Sequence, residues 1–181
     1  CWVALDRAIR MIEKAPDGDK EHITGSGAQN VWIEPRDIIK ENILSTCYND
    51  ELEAFVQFPG SEILDSTNLL LARLGFIRPD SKEFKGTIRA SQKYLVNDFG
   101  LLKSYSGEKN VDDSVLPVCS LWMVLALIEI KEYGEAEILY NRVLGQANSL
   151  GLFSAGISSD GTYLGNYPEA LAATGVIVAA F

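Results

Sequence analysis

Between Leu116 and Ile130 the chain reads LPVCSLWMVLALIEI, with Glu129 as its one charge. No other feature restricts the fold so strongly. A helix that is apolar on every side has to be buried on most of them, so other elements must surround it. The run is too short to span a membrane, whose hydrocarbon core takes about 20 residues. EAEILYNRVLGQANSLG follows after a very short turn, which makes the two helices antiparallel neighbours. With 181 residues, the chain is long enough for a single domain with a sizeable core.

The rest of the chain supplies the surroundings. Trp2, Leu5, Ile9 and Ile12 recur at helical spacing with Asp6, Arg7, Arg10 and Glu13 between them, an amphipathic helix. The polar, turn-rich APDGDKEH ends it. Pro35 stands where a first-turn proline would, and PRDIIKENILSTCY puts Ile38, Ile39, Ile43 and Leu44 on one side of a second helix. SEILDSTNLLLARLG, residues 61–75, predicts a third, closed by Gly75. A fourth lies in RPDSKEFKGTIRASQKYLVND, with Asp80 or Ser81 as cap and Phe84, Ile88, Tyr94 and Leu95 inward. PEALAATGVIVAAF closes the chain as a small-residue helix. Its Gly175 and alanines permit close helix approach, which in a closed ring would suit packing on the first helix.

No stretch sustains period-two alternation, so the expected class is all-α, with about seven helices in αα-hairpins. Short turns at one end and long loops at the other predict a toroid or solenoid. The loops are 16–34, 49–60, 99–115 and 151–167. Loops of that length in a compact domain usually carry function.

The net charge of −9 excludes nucleic acid and anionic membranes as expected partners, since both need clustered Lys and Arg. It is compatible with a neutral ligand such as a sugar. Cys1, Cys47 and Cys119 are odd in number and widely spaced, which fits neither a disulfide framework nor a zinc site. A reducing, cytoplasmic setting is expected. His22, the one histidine, lies in a charged linker and reads as a solvated loop residue, which leaves no His-based triad or metal cluster. The opening CWVALDRAIRMIEK has no cap before its first apolar residue, so the chain is expected to be a piece of something longer.

Four stretches in register carry a resemblance: CWVALDRA, FVQFPGSEILDSTNLLLARLGFIRPD, CSLWMVLALIEIKEYGEAEILYNRVLGQANSLGLFS and LGNYPEALA. Together they resemble the C-terminal half of glycoside hydrolase family 15, the glucoamylase, glucodextranase and bacterial or archaeal trehalase group. The resemblance covers Cys1 to Phe181. It implies an (α/α)6 barrel of inner helices ringed by outer ones, with about half of the ring in these residues. It also implies inverting hydrolysis of an α-glucosidic bond without a cofactor or metal. One carboxylic acid would protonate the leaving oxygen, and an opposing carboxylate about 6.5–9.5 Å away would activate water.

On that reading the acid belongs to a Trp-Glu loop upstream of Cys1. The base belongs to the loop before LGNYP, where the family has paired glutamates. Here the loop is LFSAGIS, and Ala155 and Gly156 stand at the glutamate positions. Neither can accept a proton, so the chain is expected to be inactive. Other positions depart from the family as well. Ser104 in LKSYS replaces an arginine that grips sugar hydroxyls, Asp113 replaces a glutamate, and Ala172 and Ala173 replace a serine and a histidine. A hydrolase would need Asp113 or Glu169 as substitute base. Asp113 also reads as a loop carboxylate or as the N-cap of the Leu116 helix, and Asp112–Asp113 reads as a sugar-binding pair. Trp32, Tyr105 and Tyr167 sit in or beside loops and are the expected sugar-stacking rings. Trp122 reads as core, and Asp65 in LDSTN as structural. The expected partners are an α-glucoside and either the N-terminal half of a parent protein or a second copy of the chain. Two alternative readings are a noncatalytic carbohydrate-binding module and a helical scaffold for protein contacts.

Overall fold

The computed structural model describes residues 1–16, 18–19, 29–107 and 114–180, and the chain divides into two compact units, Cys1–Cys47 and Tyr48–Phe181. The described residues are mostly helical.

The first unit pairs α1, Trp2–Lys14, with α2, Gln29–Thr46. Trp2, Ile9 and Ile12 bury one stripe of α1, at the spacing the sequence predicts. Asp6 shares that stripe at 5% exposure. Its Oδ2 accepts from Arg7 Nη1 at 2.5 Å and pairs with Arg10 Nε at 2.9 Å, which offsets the desolvation of a buried carboxylate. Lys40 of α2 places its Nζ 5.4 Å from the Trp2 ring centroid, within cation–π range. Pro35 does not start α2, as its residue type predicts, but stands inside it. Packing against α1 overrides the roughly 3 kcal/mol that a proline ring costs in a helix interior.

The second unit is built around α3, Pro117–Glu129, which carries the apolar run. From Cys119 to Leu127 only Trp122 is not fully buried, and it packs against the core from its edge. Pro117 occupies the first turn and Leu116 is the N-cap, as the fixed φ of proline favours. Four elements pack on it: a 3-10 helix Ser66–Leu70, α4 (Lys82–Tyr94), α5 (Tyr133–Leu144) and α6 (Ala170–Ala179). The close approach of the last helix is made to α3. A Cβ at Gly175 would stand 2.8 Å from Leu121 Cδ1.

Ser81 caps α4, its Oγ accepting from the Phe84 N–H at 3.2 Å. Phe84 and Ile88 point inward, but Tyr94 is 44% exposed. The third expected helix is a short 3-10 turn followed by irregular turns to Gly75. Its start is held extended by hydrogen bonds to the 104–106 segment, so α-helical bonding cannot begin at residue 61. Two small antiparallel hairpins were not legible in the sequence. They pair β1 (Tyr48–Asn49) with β2 (Ala54–Phe55), and β3 (Gly156–Ile157) with β4 (Tyr163–Leu164). Two-residue strands are too short to display alternation.

Burial pushes the Cys119 thiol up to about 11, against a smaller opposing effect of the Ser66 hydroxyl. The folded state therefore holds this proton longer than the unfolded chain. Stability from this group is complete below the ordinary thiol range and is lost as pH rises toward 11. At pH 8 a thiol reagent is expected to modify the exposed Cys1 and spare Cys119 until denaturant is added. Equal rates at both cysteines in the native chain would contradict this burial.

Candidate functional site

Four segments converge on the N-terminal end of α3. The 3-10 turn arrives through Asp65, which forms an antiparallel bridge with Tyr105. Around it the Ser66 N–H donates to Ser104 O at 2.8 Å, the Ser106 N–H to Leu64 O at 2.9 Å, and the Leu64 N–H to Ser106 Oγ at 2.8 Å. The Leu102 N–H donates to the buried Ser120 Oγ at 2.9 Å, tying the same segment to α3. Val115, just before the helix, exchanges two 2.9 Å backbone hydrogen bonds with Ile157 of β3. Gly156 packs so closely on the helix start that a Cβ there would lie 3.4 Å from Leu116 Cδ2.

Asp65 is held in place by its own turn. Its Oδ1 accepts from the Thr67 N–H at 2.9 Å and from Thr67 Oγ1 at 2.7 Å, and its Oδ2 accepts from Gln57 Nε2 at 3.3 Å. The structural role expected of it is thus present. Tyr105 beside it leaves 43% of its surface exposed.

The loop that follows α5 is a pinned hairpin. The Phe153 carbonyl accepts from the Glu169 N–H at 2.8 Å, and the Ala155 N–H donates to Asn166 O at 2.9 Å. The buried Ser154 hydroxyl donates to Gly156 O at 2.8 Å. Gly165, at φ +73°, lies against Ala155, since a Cβ there would meet the Ala155 Cβ at 3.0 Å. The nearby carboxylates are already engaged. Glu169 Oε1 accepts from the Leu171 N–H at 3.1 Å as the cap of α6. Asp160 Oδ1 accepts from Ser158 Oγ at 2.5 Å and from the Thr162 N–H at 3.0 Å.

Those donors, the Ser158 hydroxyl first, pull the Asp160 carboxyl down to about 2. The folded pKa lies below the ordinary value. The contribution to the turn is therefore complete above about pH 4 and is lost as pH falls toward 2. The protection of the Thr162 amide, its exchange measured against the intrinsic rate at each pH, should fall over that window in the native chain, while that of Leu102, which bonds to no carboxylate, holds. Unchanged Thr162 protection down to pH 2 would contradict the assignment.

Tyr167, expected as a stacking ring, forms a stacked pair with Tyr163 at 5.6 Å and 15°. Sequence reasoning missed Tyr163. The four-residue spacing across a glycine turn was the signal, but it means contact only once the hairpin is known. Trp32 lies within α2 of the first unit and is half-buried there, rather than beside a loop. Asp112, Asp113 and His22 fall outside the described residues. Leu116 stands at the N-cap position of α3, without a side-chain cap bond of its own.

A cavity opens beside the C-terminal end of α3. It has a volume of about 480 Å³ and is lined by Arg78, Lys85, Glu129 and Lys131 among others, without an aromatic ring. Among the described residues no three His, Cys, Asp or Glu side chains gather as metal ligands. No described helix is long and apolar enough to cross a membrane.

No protein-family model matches the chain. A trehalase of Thermoplasma volcanium is 32% identical over 179 residues, 97% of this chain and 27% of that protein. A trehalase of Mycobacterium tuberculosis is 35% identical over 176 residues, 94% of this chain and 24% of that protein. The chain thus spans about a quarter of the length of these relatives. A wild-type glycosidase superposes with a TM-score of 0.72 at 14% identity, over 94% of this chain and 47% of that one. A glycosidase variant solved in complex with glucose gives 0.67 at 15% identity, over 93% of this chain and 42% of its own. Homology to trehalases and a mostly helical fold shared with glycosidases make this chain glycosidase-like and trehalase-like.

Proposed function

We infer that the chain is a glucoamylase- or trehalase-like domain of the family 15 type that binds α-glucosides and has lost the family's catalytic base. The observation that carries this reading is the hairpin loop at the end of α3. It stands where the base is expected, and there the chain has the part-buried Ala155 and the buried Gly156. A general base has to reach the attacking water with an acceptor oxygen or nitrogen. Neither residue offers one from a side chain. Glu169, weighed as a substitute, is occupied as a helix cap, which leaves Asp113 as the remaining candidate.

The helical hairpins around α3 support a half-ring of the (α/α)6 kind as the architecture. Tyr105 and the Tyr163–Tyr167 pair supply exposed ring faces for sugar stacking, and Asp112–Asp113 remain proposed contributors. Three free thiols suit the reducing cytoplasm we assign to it. The test is ligand-detected NMR with trehalose and maltose. Saturation transfer from the protein to either sugar, suppressed by Tyr105→Ala, is the expected result. No transfer to any α-glucoside would overturn the binding reading.

A second reading, a helical scaffold, is favoured by one observation. α6 leaves Leu171 64% and Ile177 62% exposed. We assign this surface to the other half of a ring or to a second copy of the chain. Sedimentation should find an assembly larger than one chain that Ile177→Lys reduces. A strictly monomeric wild-type chain would count against a role for this surface in self-association.

A further inference from the structure

We propose that Asp65 and Gln57 form a hydroxyl-reading fork beside the Tyr105 ring, a sugar subsite at the N-terminal end of α3. This inference rests on the α-glucoside reading above and adds two residues to it. The geometry comes from the backbone. Asp65 and Tyr105 are partners in an antiparallel bridge, and directly opposed residues of such a pair project to the same face with their Cβ atoms about 5 Å apart. Asp65 and Tyr105 therefore leave the bridge on one face, and the Tyr105 side chain is 43% exposed.

Gln57 Nε2 donates to Asp65 Oδ2 at 3.3 Å, so a primary amide lies in line with the carboxylate. That bond uses one of the amide's two N–H groups, and its carbonyl oxygen has no hydrogen bond among the described residues. Asp65 Oδ1 is fixed by Thr67, which sets the plane of the carboxylate. Oδ2 has only the long bond from Gln57 among the described residues and keeps a lone pair for a further donor.

A flat aromatic face with a planar acceptor and a planar donor–acceptor at its edge matches a pyranose. The C–H face of the sugar covers the ring, and neighbouring hydroxyls reach the carboxylate and the amide. A charged acceptor makes the stronger of the two contacts. Among the described carboxylates of this end, Glu169 caps α6 and Asp160 accepts from its own turn. Asp65 likewise caps the 3-10 helix, and it is the one of the three that lies opposite an exposed aromatic ring across a bridge.

The test is titration of the chain with trehalose and with a series of mono-deoxy glucosides. Tyr105→Ala is expected to weaken trehalose binding about tenfold, and Tyr105→Phe to leave it within about twofold. Asp65→Asn keeps an acceptor for the Thr67 N–H and is expected to hold the unfolding midpoint, yet to weaken binding about tenfold. It should also erase the discrimination that the wild-type chain makes against one of the deoxy positions. A purely structural Asp65 would not change that selectivity. If the wild-type chain binds trehalose and Asp65→Asn and Gln57→Ala bind it equally well with the same selectivity, the subsite is overturned while the α-glucoside reading stands. If the wild-type chain binds no α-glucoside, both fall.

Discussion

Replacing Gly86 with valine is expected to destabilise the second unit by about 3 kcal/mol or more, at the top of the range for overpacked sites. Gly86 lies in the middle of α4, where glycine would ordinarily be unfavourable. The structure supplies its reason. A Cβ at this position would stand 2.1 Å from the backbone oxygen of Glu53, and Glu53 itself holds φ at 51°. Backbone on the opposing side cannot swing away as a side-chain end can. The contact also fixes β2, whose Phe55 N–H donates to Thr87 Oγ1 at 3.0 Å. Gly134 on α5 is the internal control. Nothing lies within 4 Å of a Cβ there, so Gly134→Ala should be neutral or stabilising by up to about 1 kcal/mol. Thermal or urea unfolding checks both. Equal, small effects from Gly86→Val and Gly134→Ala would mean that α4 does not sit on the 48–55 hairpin as described.

Leu121→Ala is the second large effect, expected to cost about 2–5 kcal/mol. Leu121 is fully buried on α3, the helix on which every neighbouring element of the second unit rests. It also faces Gly175 of α6 at 2.8 Å from where a Cβ would be. The alanine leaves a cavity directly opposite a glycine. Gly175→Ala should therefore recover part of the loss in the Leu121→Ala background, because the added methyl enters space that the leucine vacated. In the wild-type background the same methyl meets the Leu121 side chain, and its gain in helix propensity is offset. A double-mutant cycle should show favourable coupling between the two positions. Strict additivity would mean that α6 does not pack on this part of α3.

The parts of this structure written in local chemistry were legible in the sequence. The uniform apolarity of residues 116–130 required a central helix, and Ser81, read with Asp80 as a candidate cap, marks the start of α4. The failures have specific causes. Pro35 reads as a helix start because the rule is local, whereas packing on α1 carries α2 through it. SEILDSTNLLLARLG has helical periodicity, but its first residues are held extended by partners some 40 positions later, and no local rule contains them. The site was legible only as a loop. That Ala155 and Gly156 stand at the glutamate positions came from the family pattern, and the strand that Gly156 begins is tied to Val115 and Leu116 by hydrogen bonds and packing that no spacing announces. Asp65 read as structural, which it is. That it also shares a face with Tyr105 follows only from the bridge between them.

The central claim is that this end of α3 retains sugar recognition without the means to cleave. It is tested most directly by glucose release from trehalose, maltose, isomaltose and longer α-glucans, assayed at protein concentrations where trehalose binding is saturated. The account predicts no release above a protein-free blank while binding persists. Glucose release that co-purifies with the chain and disappears in Asp113→Asn would contradict it, and would identify that carboxylate as a base that has taken over from the one missing at Ala155 and Gly156.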